Sequence, residues 1–107
     1  HLLDDAAFAA CKPGALIVNV ARGPVLDQQA LVRALHSGHL GGAAVDVSDP
    51  EPLPADDPLW DCPNILVSPH FAGSGSPRSV ERLAQGVADN LRRLMAGQPL
   101  HHVVSNG

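Results

Sequence analysis

Three apolar runs alternate with amphipathic stretches along this chain. Ala15-Leu-Ile-Val-Asn-Val20 is apolar except at Asn19; Gly41–Val47 and Ile65–Ser68 follow it. Short apolar runs set between helical stretches predict strands of a parallel sheet. The small residues of Gly41–Val47 allow close helix approach. Asp27 caps a helix with Leu31, Val32 and Leu35 on one face, and Gly38 ends it. Asp4 or Asp5 caps a short helix over Ala6–Cys11, closed by Pro13-Gly14. Pro58-Leu59-Trp60 predicts a single helical turn, and Asp49-Pro-Glu-Pro-Leu-Pro54 a stiff loop. Ser76-Pro77 starts a last helix, whose stripe of Val80, Leu83, Val87, Leu91 and Leu94 is stopped by Gly97 and Pro99.

This alternation predicts an α/β fold. Three strands are too few for a doubly wound sheet covered on both sides, and the first strand presents an edge that wants a neighbour. The chain begins at His1 rather than Met and reads as a fragment, the second half of a larger sheet. No basic segment precedes Leu2–Ala10, which contains Asp4 and Asp5, so it is not expected to be a signal peptide. No run reaches the ~20 apolar residues of a membrane span.

Each apolar run is followed by a chemically useful side chain: Arg22, Glu51 and His70. The C-terminal ends of parallel strands share one edge, where ligands bind. A cation, a carboxylate and an imidazole should therefore meet in one cleft. A guanidinium grips a carboxylate bidentately, and an imidazole exchanges protons near neutrality. A carboxylate beside that imidazole orients it and favours its charged form. Singly, each has a bland reading: a surface arginine in a turn, a capped structural histidine. Together, with Gly23-Pro24 fixing the turn after Arg22, they favour an active site. Asp46 interrupts the second run, and a buried carboxylate needs partners; it either binds a ligand or caps a nearby turn.

The remaining candidates read as structural. His36 and His39 flank a helix C-terminus, and His101 and His102 lie in a polar tail. Cys11 and Cys62 fit neither a zinc framework nor a redox pair. They read as reduced thiols in a cytoplasmic protein, and no metal site is expected. Hydrophobic residues make up 45% of the chain and its formal charge is −4, so no basic surface points to nucleic acid or anionic membrane. With only Phe8, Trp60 and Phe71 as aromatics, the core must be Ala, Val and Leu.

Three linked motifs carry a resemblance: Val18-Asn-Val-Ala-Arg-Gly-Pro24, Ala44-Val-Asp-Val-Ser-Asp-Pro-Glu-Pro-Leu-Pro54 and Val67-Ser-Pro-His-Phe-Ala-Gly73. In this order they resemble the D-isomer-specific 2-hydroxyacid dehydrogenases, which include glyoxylate/hydroxypyruvate reductases. The resemblance implies the second half of a Rossmann-type parallel sheet flanked by helices. It implies that residues 1–97 form the C-terminal half of a dinucleotide-binding domain with its returning helix, and that 98–107 lead toward a substrate domain. It implies NAD or NADP as cofactor, a small 2-oxo or 2-hydroxy acid as substrate, and a homodimer. Arg22 would bind the substrate carboxylate, His70 would be the acid/base and Glu51 would tune it. Asp46 would hold the nicotinamide carboxamide, while Val20, Ala21, Arg22, His70, Ala72 and Gly73 would line the cofactor. Ser48-Asp49 departs from the family's usual aromatic and Glu. Gly73-Ser-Gly75-Ser-Pro-Arg78 imitates the start of a GxGxxG fingerprint but ends in Arg78, with no acidic strand end after it. It reads as a loop near the nicotinamide. The 107 residues alone are expected to be inactive and marginally folded. A corepressor-like dinucleotide sensor and, more distantly, a metal-assisted hydrolase are the rival functions.

Overall fold

Residues 1–73 and 75–104 are described by a computed structural model. The chain divides into two compact units, residues 1–73 and 74–107. The first opens with α1 (Asp5–Ala9), whose N-cap Asp4 accepts a 3.0 Å hydrogen bond from Ala7 N and whose Phe8 is fully buried. Three parallel strands follow in sheet order β1 (Ala15–Asn19), β2 (Leu40–Val45) and β3 (Ile65–Val67). Parallel neighbours need a crossover. Between β1 and β2 it is α2 (Gln28–His36), capped by Asp27 and burying Ala30, Leu31 and Leu35. Between β2 and β3 it is a long loop with one 3₁₀ turn, Pro58–Asp61. Long irregular connections in compact units commonly carry function.

The core occupies one face of this sheet. Ile17, Ala43 and Ile65 form one cross-strand row, and Asn19, Val45 and Val67 the next. The apolar members of both rows pack with Phe8, Leu31, Leu35 and Leu59. On the opposite face, the row Val18–Ala44–Leu66 leaves Val18 67% and Leu66 63% exposed.

The elements match the expected order but end earlier. β1 stops at Asn19 rather than Val20, β2 spans Leu40–Val45 rather than Gly41–Val47, and β3 stops before Ser68. α1 covers Asp5–Ala9 rather than Ala6–Cys11. At the strand ends the side chains of Asn19, Asp46 and Ser68 are hydrogen-bonded, while the Asp46 and Ser68 amides still donate to Asn19 O and Val45 O and close the last rungs of the ladder.

The second unit holds α3 (Pro77–Met95), started by Ser76, whose hydroxyl accepts from Ser79 N. The stripe Val80, Leu83, Val87, Leu91 and Leu94 is exposed. Asn90 clamps the His101 backbone through two hydrogen bonds, so the tail folds back along α3. No described helix is long and apolar enough to cross a membrane.

Candidate active site

The C-terminal edge of the sheet is built by side chains that turn the strands into loops. At the end of β1, Asn19 is 5% exposed. Its Oδ1 accepts from Ala21 N (3.1 Å) and its Nδ2 donates to Arg22 O (3.1 Å). Arg22 is extended and exposed, and its Nη1 donates to Ala21 O at 2.6 Å. Gly23 follows in a 3₁₀ turn, Gly23–Val25. A Cβ there would lie 2.0 Å from the carbonyl oxygen of Ser48, so only glycine lets the two loops meet.

At the end of β2, Asp46 is buried, 4% exposed. Its Oδ1 accepts from Ser68 Oγ (2.5 Å) and Phe71 N (3.1 Å), and its Oδ2 from Ala72 N (2.8 Å). The Ser68 hydroxyl, then the Ala72 and Phe71 amides and the nearby His70, outweigh burial and hold this carboxyl below its ordinary range. Asp46 thus anchors the loop after β3. That loop places His70 at φ +53°, a left-handed conformation uncommon for a side-chain-bearing residue.

Glu51 lies in the long loop after β2. Ser48 Oγ donates to Pro50 O (2.9 Å) and Trp60 Nε1 to Pro54 O (2.7 Å), holding this loop on both sides of Glu51. Asp49–Pro50 and Glu51–Pro52 are cis. Glu51 Oε1 is hydrogen-bonded to His70 Nδ1, with both side chains partly exposed. This pair borders a cavity of about 470 Å³, lined also by Val47, Leu53, Trp60 and Ser68.

The structure therefore joins Glu51 to His70 and ties Asp46 to the His70 loop. Arg22 stands at the end of the neighbouring strand, linked to the Glu51 loop through Gly23 and Ser48. Val20, Ala21, Ala72 and Gly73 are exposed. Ser74, within the GxG-like segment, lies outside the described residues. Sequence reasoning missed Asn19, Ser68 and Trp60 as loop-formers. A lone amide in an otherwise apolar run was the available signal for Asn19. His39 is structural, its Nε2 meeting the carbonyls of Phe8 (3.0 Å) and Cys11 (3.1 Å) near the end of α1. Among the described residues no group of three or more His, Cys, Asp or Glu side chains is placed to hold a metal ion. Burial, with Asp57 and Asp61, pushes the Cys62 thiol up.

A parallel α/β unit with polar side chains gathered at its C-terminal strand edge has the arrangement in which open α/β sheets bind ligands. Residues 1–72 match the D-isomer specific 2-hydroxyacid dehydrogenase, NAD binding domain, and the chain belongs to that family. It is 43% identical over 95 residues to the (S)-sulfolactate dehydrogenase of Chromohalobacter salexigens, covering 89% of this chain and 30% of that protein. It is 41% identical over 98 residues to glyoxylate/hydroxypyruvate reductase B of Citrobacter koseri, covering 92% and 30%. The D-isomer specific 2-hydroxyacid dehydrogenase of Xanthobacter autotrophicus Py2, solved with NADPH and MES, superposes with a TM-score of 0.82 at 43% identity, covering 97% of this chain and 42% of that one. The chain spans about 30% of the length of the curated relatives it matches.

Proposed function

We propose that the protein carrying this chain is an NAD(P)-dependent 2-hydroxyacid dehydrogenase, reducing a small 2-oxo acid or oxidising the corresponding D-2-hydroxy acid. The hydrogen bond between Glu51 and His70 carries this reading within the family. Residues 1–97 would supply half of the dinucleotide-binding domain, and 98–107 would lead toward a substrate domain. The protein is taken to be a cytoplasmic homodimer with no nucleic-acid or membrane partner.

The strand edge fits the nicotinamide end of a dinucleotide. Val20, Ala21, Ala72 and Gly73 offer open apolar or backbone surface. Among the described residues Asp46 Oδ2 accepts one hydrogen bond, which leaves capacity for a carboxamide donor. Bound NAD(P)H supplies the hydride. Arg22 binds the substrate carboxylate and polarises the adjacent carbonyl. Glu51 occupies His70 Nδ1, so Nε2 is the atom left to exchange a proton with substrate. In reduction His70 gives that proton to the forming hydroxyl; in oxidation it takes it back.

The test is to follow NADH and NADPH consumption by the whole purified protein with glyoxylate, hydroxypyruvate and other small 2-oxo acids. Turnover with at least one pair is expected. Coenzyme binding without turnover of any 2-oxo acid would replace this reading with that of a dinucleotide sensor.

A further inference from the structure

We infer that Asn19 is a positioning residue that aims the Arg22 guanidinium at the substrate carboxylate, an inference that rests on the role proposed for Arg22. Three hydrogen bonds close a ring. Asn19 Oδ1 accepts from Ala21 N, Ala21 O accepts from Arg22 Nη1, and Arg22 O accepts from Asn19 Nδ2. The carboxamide orientation follows from chemistry, because an amide N–H only donates and a carbonyl only accepts. The two Asn19 contacts grip the backbone on either side of the Ala21–Arg22 peptide. That peptide's own carbonyl holds the guanidinium. Turning it would carry the arginine head away; Asn19 resists the turn from the strand side, while Val25 N, which also donates to Arg22 O (3.2 Å), holds it from the following 3₁₀ turn.

The location fits this purpose. Asn19 is buried at the last position of β1, in a cross-strand row whose other members, Val45 and Val67, are apolar. A buried amide is tolerated there only with its polar atoms engaged. It engages them with the segment that carries Arg22.

In the whole enzyme, Asn19→Asp keeps the acceptor and loses the donor to Arg22 O, while Asn19→Leu keeps the bulk and loses both contacts. Either change should raise KM for glyoxylate by about tenfold or more, since small misplacements of a binding group are costly. KM for NAD(P)H, whose proposed surface includes the gripped Ala21, should rise much less than KM for glyoxylate, and the pH dependence of kcat should stay as in the wild type. A folded variant whose KM for glyoxylate moves by less than about twofold, or whose coenzyme KM rises in parallel, overturns the inference. If neither variant folds, the wild-type side-chain amide resonance of Asn19 is followed by NMR on adding oxamate, a non-reducible 2-oxo acid mimic. A shift of that resonance supports the inference and an unmoved one overturns it. Arg22→Lys run in parallel separates the two readings. If it raises KM while the Asn19 variants do not, only the positioning role fails; if it leaves KM unchanged, the assigned role of Arg22 fails, and this inference with it.

Discussion

The Arg22 loop and the His70 loop are each tied to the sheet by one buried polar residue just at a strand end, but the ties differ in kind. Asn19 is neutral and provides one acceptor and one donor. Asp46 is a carboxylate that takes three donors, two of them backbone amides. The carboxylate holds its loop hard enough to keep His70 at a positive φ, a conformation costing about 1–3 kcal/mol when the surroundings impose it. The amide sets a backbone direction and leaves the guanidinium exposed, its one hydrogen bond among the described residues running to the neighbouring Ala21 carbonyl. The difference suits the roles proposed for the two loops: a proton-transferring group gains from being fixed, whereas a group that must capture a charged ligand needs donors that can reach it.

The largest effect should come from breaking the rigid side. In the whole enzyme His70→Gln should lower kcat by about 10²–10⁴-fold, the usual contribution of a general acid. Unaltered kcat would remove His70 from the chemistry. On the open side, Arg22→Lys should instead raise KM for 2-oxo acids about tenfold to a hundredfold, because a bidentate fork becomes a point charge. Steady-state kinetics with glyoxylate distinguish the two patterns; a fall in kcat alone would make the two loops equivalent.

The tie itself is broken by Asp46→Asn. With its pKa below the ordinary 3.8, the folded carboxylate contributes stability that is present above the unfolded pKa and lost as pH falls through the folded value. Asp46→Asn should therefore lower Tm at neutral pH, and the gap from wild type should close below about pH 3.8. A gap independent of pH would show that charge is not what holds the loop. The smallest effect is expected for Trp60→Phe, which removes one hydrogen bond to Pro54 O. It should cost about 0.5–1.5 kcal/mol in denaturant unfolding and leave KM close to wild type.

The three parallel strands and the meeting of Glu51 with His70 were readable in the sequence because they follow from local pattern. Apolar runs give strands, Asp27 and Ser76 give helix starts, and a parallel sheet puts strand ends on one edge. The role of Asp46 was less readable. Its partners lie 22 to 26 residues away, so nothing near it in sequence separates a ligand-binding carboxylate from one that caps a distant loop. The strand limits were misplaced nearby. Val20 and Val47 look like strand residues, but the strands end at Asn19, whose side chain binds the backbone two and three residues on, and at Val45. The exposed row Val18–Ala44–Leu66 was implicit in runs apolar on both alternations, since such strands expect cover on both faces.

Gly23 sets a length. With no side chain, its backbone rests against the carbonyl of Ser48, so the arginine loop and the glutamate loop touch main chain to main chain. The span from the proposed carboxylate anchor to the proposed proton relay is thus gauged by two peptide units, which vary far less than side-chain rotamers. Any residue larger than glycine at position 23 would act as a shim between the loops. It would widen that span without altering any of the groups that define the site.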